Sequence, residues 1–411
     1  MRVLVVCQRY WPEQFQIVPI CEGLVERGHE VTVLCGLPNV GVPEGEPGVV
    51  LPEYRHGQRR EESHNGVRIV RSFEVGRRSD IVHRVLNYYS FWHSAKRKVF
   101  TLEGTFDVVF AYQLSPAMMS IPAAEYGSKT GVPVYLYCCD LWPESLKAML
   151  GDKGGAIIAH YGKICRKLYQ SVDRIGIESP AFREYFEEYH RIPSDKLVYY
   201  PQFSSDDVSG MVEDAPHEGV NLLFMGNMGT AQNIPCILQA VSLLDDVEKL
   251  TMHFVGDGVM LDWAERYVEE NGLADRVVFH GRRPVEEMPR YYALADICVL
   301  AFDVSNLIGS AIPAKLQGYM AAGKAVVGSV DGGARFVIED SGCGMATSPN
   351  DAEAMAEAIR ELVANEEDRG RCGEAGRRYY KEHFTKQAYL DALEEELRVL
   401  ISGTENEREA A

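Results

Sequence analysis

The chain has 411 residues, 46% of them hydrophobic, which is enough apolar material for two domains of about 200 residues each. Its 60 acidic and 42 basic residues give a net charge of -18, and a balance this acidic argues against nucleic acid as a partner. The 10 cysteines form no Cys-x-x-Cys pair and no zinc-ligand spacing, so we interpret them as reduced core residues of a cytoplasmic protein without a metal site.

The first half alternates between apolar runs and stretches whose apolar residues recur at helical spacing. Repeated strand and helix units predict an α/β fold with a parallel sheet and right-handed crossovers. Residues 36–66 interrupt the pattern, because they are rich in glycine, proline and charge and show no period, and we predict a long loop there. The predicted strands cover residues 2–7, 29–35, 67–73, 107–112, 132–139, 174–178 and 197–200.

Polar side chains follow two of these strands, at the edge where open parallel sheets bind ligands. The first strand leads into QRYWPEQF, which contains Glu13 and Gln14 but no Gly-x-Gly-x-x-Gly dinucleotide fingerprint. A later strand leads into DLWPES, whose Asp140 and Glu144 flank Trp142. Two carboxylates and a tryptophan suit the binding of sugar hydroxyls or a proton transfer. The alternative is a helix capped by Asp140 with a buried Trp142.

Residues 77–98 form a basic segment within this acidic chain. Its apolar residues recur at helical spacing, among them Ile81 and Val85, and a basic amphipathic helix rich in aromatics suits the headgroup region of an anionic bilayer. The alternative is a helix that packs on the core and leaves a charged edge in solvent. The basic residues are Arg77, Arg78, Arg84, Lys96, Arg97 and Lys98, against only Asp80.

The second half restarts the alternation after a polar linker at residues 204–219. The strand 221–225 ends in Gly226-Asn227-Met228-Gly229-Thr230, and glycines there let a backbone approach a phosphate closely, although such a loop is weak evidence by itself. The loops that contain Gln232 and Asp257 also follow the ends of strands or lead into helices. Further strands are predicted at residues 250–255, 277–279, 297–302 and 325–330, and helices at 351–364, 366–383 and 389–401.

The segment 303–333 carries the main candidate site. A loop with Ser310 is followed by Ile312, by Pro313 at the predicted first helical position and by Lys315 one turn into the helix. Free N–H groups at the start of a helix favour an anion, and Lys315 adds a mobile positive charge. The pattern predicts a diphosphate site, and the alternative is an ordinary connection between a helix and a strand of a parallel sheet.

Two doubly wound halves, a linker near residue 210 and a C-terminal amphipathic helix resemble the GT-B glycosyltransferases. The strings GNMGTAQN, VGDGVM and IPAKLQGYMAAGKAVVGS resemble signatures of the retaining family 4 enzymes. The strings RYWPEQF, LNYYSF and CCDLWPES resemble the subgroup that adds N-acetylated amino sugars, such as N-acetylfucosamine, during O-antigen and capsule assembly. This resemblance implies two Rossmann-like domains that face a cleft, at residues 1–205 and 206–384, with a helix at 385–402 that crosses back to the N-terminal domain.

The resemblance also implies a function. We expect sugar transfer from a UDP-sugar to a polyprenyl-diphosphate-linked saccharide, with no metal required, by a cytoplasmic protein that lies on the anionic inner face of the cytoplasmic membrane. The implied catalytic residues are Lys315, Asp140 and Glu144. The implied donor contacts are Gly226, Asn227, Gln232, Asp257, Ser310, Ile312, Pro313 and Lys315, and the implied acceptor contacts are Glu13, Gln14, Trp142 and Arg84.

One departure from the family pattern leaves two other functions open. The wider family carries two glutamates with seven residues between them, and this chain has Ser310 and Gly318 at those positions. Neither can accept ribose hydroxyls as a carboxylate would, although the subgroup also tends to lack the pair. The alternatives are a nucleotide-sugar 2-epimerase and a non-catalytic subunit that binds nucleotide-sugars.

Overall fold

The computed structural model describes residues 1–40, 46, 48–204, 212, 215–303 and 311–410. The predicted linker lies mostly outside these residues. The chain forms two compact units, and each contains one sheet. The first unit comprises Met1–Glu178, Phe182–Tyr200 and Leu390–Ala411, and the second comprises Ser179–Ala181 and Pro201–Tyr389.

The first unit is built on an eight-stranded sheet with the order β3-β4-β2-β1-β5-β6-β7-β8. Every pair is parallel except β3 with β4. The central strands are buried on both faces, as their continuous apolar runs predict. The strands are β1 (Arg2–Val6), β2 (Glu30–Cys35), β3 (Glu61–His64), β4 (Val67–Arg71), β5 (Val108–Gln113), β6 (Val134–Cys138), β7 (Arg174–Ile177) and β8 (Leu197–Tyr199).

Helices connect these strands. In the parallel part of the sheet they act as crossovers, because a chain must return along the sheet before it can add a parallel neighbour. The helices are α1 (Ile17–Glu26), α2 (Ile81–Lys98), α3 (Ile121–Thr130), α4 (Glu144–Leu150), α5 (Gly155–Ser171) and the single turn α6 (Phe182–Glu184).

The segment 36–66, predicted as a long loop, contains regular structure, and that prediction is wrong in part. A 3-10 turn spans Pro52–Gly57, and β3 then pairs antiparallel with β4 at the edge of the sheet. The sequence of β3 is EESH, a short polar strand without apolar alternation, and polar residues are typical of edge strands that have few core contacts.

The second unit is built on a six-stranded parallel sheet with the order β11-β10-β9-β12-β13-β14. The predicted α/β fold with two doubly wound parallel sheets is therefore confirmed. The strands are β9 (Val220–Met225), β10 (Leu250–Val255), β11 (Val277–Gly281), β12 (Ile297–Ala301), β13 (Ala325–Ser329) and β14 (Gly344–Thr347). The helices are α7 (Ile234–Ser242), α8 (Leu261–Glu270), α9 (Met288–Leu294), α10 (Ala314–Ala321), α11 (Gly332–Ser341), α12 (Ala352–Ala364) and α13 (Glu366–His383).

The last helix, α14 (Lys386–Ala410), contributes its residues from Leu390 onward to the first unit. Its apolar side is buried there, with Leu393 and Leu397 fully enclosed. Ion pairs hold it to α1 and β7, because Arg27 contacts Asp391 at 2.7 Å and the carboxylate of Glu396 lies 3.2 Å from Arg174. In the described part of the chain, no helix has the length and apolar character needed to cross a membrane.

Candidate active site

Each sheet has one place where the strand order reverses, and such switch points are where open α/β sheets bind ligands. In the second unit the switch lies between β9 and β12. These strands pair only at Ile297 with Leu222 and at Cys298 with Leu223, so they separate toward their carboxyl ends. The hydroxyl of Tyr319 on α10 fills part of the gap and accepts a hydrogen bond from the backbone N–H of Met225 at 3.0 Å. This contact sets α10 beside the crevice.

Glycines let two loops meet at the mouth of this crevice. Gly226 follows β9 at φ +128°, and Gly256 follows β10 at φ +141°. A Cβ on Gly256 would lie 1.9 Å from the carbonyl oxygen of Gly226, so no other residue fits there. Among the described residues, a Cβ on Gly226 would meet only Lys315, at 3.5 Å from Cε and 3.6 Å from Nζ. The backbone of Gly226 and the ammonium of Lys315 therefore border the same space.

Lys315 is a half-buried cation without a carboxylate partner among the residues that the structure describes. Its ammonium donates to the side-chain oxygen of Gln232 and lies 3.8 Å from the centre of the Phe224 ring. Burial lowers the pKa of Lys315 to about 7. A bound diphosphate would supply the missing negative charge and raise this pKa again.

Lys315 is the second residue of α10, and no side chain in the described part of the chain caps the first turn of this helix. Pro313 is the N-cap residue, with ψ 136°, and not the first helical residue as the sequence predicted. The error is one residue, because proline is compatible with both positions and the sequence does not separate them. Ile312 is half-buried against the apolar core, while Ser310 lies outside the described residues.

Two other predicted donor residues, Asn227 and Asp257, lie in the loops that border this region. The side chains of Asn227 and Asp257 are exposed, and the Asp257 carbonyl oxygen accepts from the Met228 N–H at 2.7 Å. Gly318, at the position of the second family glutamate, is buried, and a Cβ there would lie 2.5 Å from the Tyr292 hydroxyl. Glycine is thus required by the packing of Tyr292, which the sequence analysis did not single out.

In the first unit, the segment after β6 contacts the segment after β5. The hydroxyl of Ser115 donates to the Asp140 carboxylate at 2.5 Å and accepts from the Trp142 indole at 2.9 Å. Trp142 is only 5% exposed, so its ring has little surface left for a ligand. Asp140 does not cap α4, whose N-cap residue is Pro143, while Glu144 is its half-buried first residue. The structure therefore has the buried tryptophan of the alternative interpretation but not its aspartate cap.

Glu178 joins this group and was missed in the sequence. It is the first residue after β7, and β7 is the neighbour of β6. Burial, together with the negative charge of Asp140, raises the pKa of Glu178 to about 8. A carboxyl group that is protonated at neutral pH can donate a hydrogen bond, whereas a carboxylate can only accept. The signal available in the sequence was its position at the carboxyl end of a strand.

Glu13 lies in a buried network beyond β1, and other members of this network come from the segments that follow β2 and β4. Its carboxylate accepts from the backbone N–H groups of Asn39 at 2.8 Å and Val40 at 2.7 Å. Burial raises its pKa to about 7, although Arg9 and these N–H groups oppose the shift. Arg9 in turn donates to Glu74 at 2.8 Å. The structure places Glu13 among protein partners, while the predicted neighbour residue Gln14 is exposed and Arg84 is half-buried.

Helix α2 exposes an apolar face near its first turns. Tyr88 and Trp92 are half-buried, whereas Phe91 is fully buried. The helix thus packs on the unit with one side and presents a second apolar side to solvent. The exposed side chains are Ile81 (63%), Val82 (61%), Val85 (45%) and Leu86 (47%).

Two family descriptions match most of the chain. Residues 3–202 match the glycosyl transferase 4-like domain, and residues 212–379 match the glycosyl transferases group 1. The chain is a GT-B glycosyltransferase. The boundary between the two matches falls in the linker region, and each match covers one doubly wound sheet.

Relatives agree with this assignment. The chain is 26% identical to the probable glycosyltransferase WbjE of Pseudomonas aeruginosa, over 69% of this chain and 72% of that protein. It is 33% identical to the O-antigen chain mannosyltransferase C of Escherichia coli, but over 36% of this chain and 40% of that protein, so it spans less than half of that relative. The crystal structure of Anabaena HepE in complex with UDP has the same fold, with a TM-score of 0.65, 14% identity, and coverage of 97% of this chain and 100% of that one.

Proposed function

We propose that this glycosyltransferase moves an N-acetylated amino sugar from a UDP-sugar to a lipid-linked saccharide, with retention of the anomeric configuration, in the synthesis of a surface polysaccharide. The observation that carries this proposal is Lys315, an uncompensated cation at the second-unit switch point. HepE was solved with UDP, which supports a uridine nucleotide. The O-antigen relative supports the polysaccharide context.

The donor diphosphate would bind between Gly226 and the start of α10. Gly226 offers a backbone without a side chain, and the uncapped first turn of α10 offers N–H groups beside the Lys315 ammonium. When the bond from the anomeric carbon to the diphosphate breaks, negative charge develops on the leaving oxygen. Positive groups fixed at that point stabilise the transition state more than the bound substrate. The ammonium and the helix start thus supply this charge, and we propose that no metal ion is needed.

Retention follows in this proposal from attack on the same face that the diphosphate leaves. The acceptor oxygen forms the new bond to the anomeric carbon while the old carbon–oxygen bond breaks. The acceptor proton passes to the leaving phosphate oxygen, and UDP departs. Lys315 keeps its proton throughout, because its role is to neutralise charge.

Acceptor hydroxyls would bind at the carboxyl ends of β5, β6 and β7 in the first unit. Asp140 offers an acceptor oxygen there, and Glu178, neutral below its pKa of about 8, offers a donor. Glu144 lies on the following helix and would contact a further hydroxyl. One donor and one acceptor from different strands fix the direction of a hydroxyl group.

The lipid part of the acceptor would lie at the exposed apolar side of α2. Four aliphatic side chains are exposed there, and Arg77, Arg78 and Arg84 flank them in the sequence. Aliphatic residues beside arginines suit the boundary between anionic headgroups and acyl chains. We propose that the protein is peripheral to the inner face of the cytoplasmic membrane.

Incubation with UDP-sugars tests the proposed function. The purified protein is incubated with UDP-N-acetylglucosamine, UDP-glucose and UDP-N-acetylfucosamine, with and without a chelator, and the products are separated. Slow release of UDP that is unaffected by the chelator supports the transferase, whereas loss of activity on chelation contradicts the metal-independent mechanism. A new sugar epimer would show the 2-epimerase, and binding without turnover would show the non-catalytic subunit.

A further inference from the structure

A basic groove in the first unit contains none of the residues that were predicted above to bind the donor or the acceptor. It has a volume of about 490 Å³ and lies between the start of β3, the end of β4 and the second half of α2. Because β4 is parallel to β2 and β1, the residues that follow it lie at the carboxyl edge of the sheet. The residues that matter for its chemistry are Arg60, Arg71, Ser72, Phe73, Arg97 and Lys98.

Two of the four cations have protein partners. Arg71 pairs with Glu62 and donates to the carbonyl oxygen of Trp11 at 2.6 Å. Lys98 lies 3.6 Å from Glu61. Because a carboxylate lies beside each of these two cations, we interpret Arg71 and Lys98 as residues that stabilise the fold.

The other two cations have no such partners. The side chains of Arg60 and Arg97 form no hydrogen bond or ion pair with any residue that the structure describes. One nitrogen of Arg60, Nη1, is closed off from solvent without an acceptor. Burial lowers the pKa of Arg60, and the charge of Arg71 lowers it further. This local excess of positive charge would be relieved by an anion.

Ser72 supplies an independent sign of a ligand. The residue is 2% exposed, and its hydroxyl has no hydrogen-bond partner among the residues that the structure describes. Two buried donors without acceptors among the described residues lie in this groove, and each costs desolvation free energy that no internal contact returns. The C-terminal turn of α2 favours basic residues for its own dipole, which explains Lys98 and the exposed Arg97 but not Arg60 or Ser72 on other elements.

We propose that this groove binds a phosphate group, with Arg60 and Arg97 pairing with its oxygens and the Ser72 hydroxyl donating to it. Phe73 is 55% exposed beside these donors, so a phosphate joined to an apolar chain fits better than a free ion. Arginine forks match phosphate oxygens in a two-point geometry. The assignment of that phosphate to the lipid-linked acceptor rests on the proposed function, but the binding itself does not.

Calorimetry with inorganic pyrophosphate and flotation with vesicles test the site. The vesicles contain phosphatidylcholine with or without phosphatidylglycerol. The variants are Arg60→Gln and Ser72→Ala, and the control is Arg191→Gln, an exposed arginine of the same unit. We expect Arg60→Gln to weaken binding about tenfold, as for loss of one charge-assisted contact, and Arg191→Gln to leave it unchanged.

Thermal unfolding without anion separates ligand binding from a structural role. Arg60 lacks a protein partner, so Arg60→Gln should unfold at the same or a higher temperature than the wild type. A lower unfolding temperature would show a structural arginine and overturn the proposal. If Arg60→Gln weakens the binding of inorganic pyrophosphate, a soluble phosphate is sufficient as the ligand. If Arg60→Gln weakens only the flotation with vesicles that contain phosphatidylglycerol, the ligand is a lipid headgroup.

The proposal is overturned if the wild type binds neither probe, or if Arg60→Gln and Arg191→Gln behave alike with both. These outcomes are independent of UDP release from a UDP-sugar. A failed phosphate site with intact UDP release would leave the proposed function in place. A functional phosphate site without UDP release would contradict the function but not the site.

Discussion

The strand order reverses at both switch points, but the residues around the two points differ. In the first unit, β1 and β5 stay paired from Val3 to Val6, and the loop beyond β1 is closed by a network of buried polar side chains. In the second unit, β9 and β12 pair at only two positions and then separate, and glycines with one lysine border the opening. A switch point is therefore a place where a site can form, but the pairing of its strands decides whether it stays open.

The largest effect is expected on the turnover number when Lys315 is replaced, because this side chain borders the open switch point of the second unit. Lys315→Ala should lower the turnover number about 10² to 10³-fold, since removing one group that stabilises a developing anion costs about 3 to 4 kcal/mol. UDP release from a UDP-sugar measures it. The control is Lys249→Ala, which removes an exposed lysine paired with Glu218. Equal rates for the two variants would remove Lys315 from the mechanism.

The glycine contact predicts the next largest effect, on stability. Gly256→Ala places a methyl group against the carbonyl oxygen of Gly226 at a positive φ, so it should lower the free energy of unfolding by about 3 kcal/mol or more. Gly272→Ala has a positive φ of 66° but no atom within 4 Å, and should cost only about 1 kcal/mol. Urea unfolding compares them, and similar losses would contradict the close approach of the two loops.

The sequence was informative where one physical requirement dominates. Continuous apolar runs between amphipathic segments are needed for a buried parallel sheet, and both sheets were predicted from them. Gly226 and Lys315 were predicted to contact the same ligand, and the structure places them beside the same space, while their roles stay predictions. β3 was missed because an edge strand such as EESH needs no apolar pattern.

The polar contacts of the first unit could not be predicted from the sequence, for a different reason. Ser115, Asp140 and Glu178 come from separate strands, and only the strand order brings them together. Glutamate and tryptophan are common in sugar-binding sites, yet the side chains of Glu13 and Trp142 are buried and form hydrogen bonds within the protein. Residue type alone does not tell a ligand contact from an internal hydrogen bond.

A different effect, on the pH dependence of stability, is expected from Glu178. Its pKa is raised from 4.5 to about 8 in the folded state, so the folded protein holds a proton that the unfolded chain has released. The wild type should therefore lose stability as pH rises from about 4.5 to about 8, by at most about 1.4 kcal/mol per pH unit. Glu178→Gln should lack this loss.

Urea unfolding at pH 5, 7 and 9 checks the prediction for Glu178. The exposed Glu188→Gln is the control and should follow the wild type. If Glu178→Gln also follows the wild type across this range, the carboxyl group is ionised in the folded protein, and its proposed role as a hydrogen-bond donor is wrong.

The smallest effect is expected at the exposed side of α2, where a charge should weaken membrane binding and leave the fold intact. Val85→Glu should reduce flotation with anionic vesicles several-fold, because a carboxylate opposes both the apolar contact and the headgroup charge. The control is Val399→Glu on α14, since Val399 is exposed to a similar extent, 49% against 45%. Equal flotation of both variants would place the membrane contact elsewhere.

The most direct test of the central claim is the pH dependence of donor binding to the wild type and to Lys315→Met. UDP-N-acetylglucosamine carries a diphosphate that stays fully ionised from pH 7 to pH 9, so calorimetry over this range reports the protein group. If Lys315 neutralises the diphosphate, binding to the wild type should weaken by nearly tenfold per pH unit above its pKa of about 7, with uptake of a proton. Lys315→Met should bind weakly at every pH. The same affinity and pH dependence in both proteins would contradict the account.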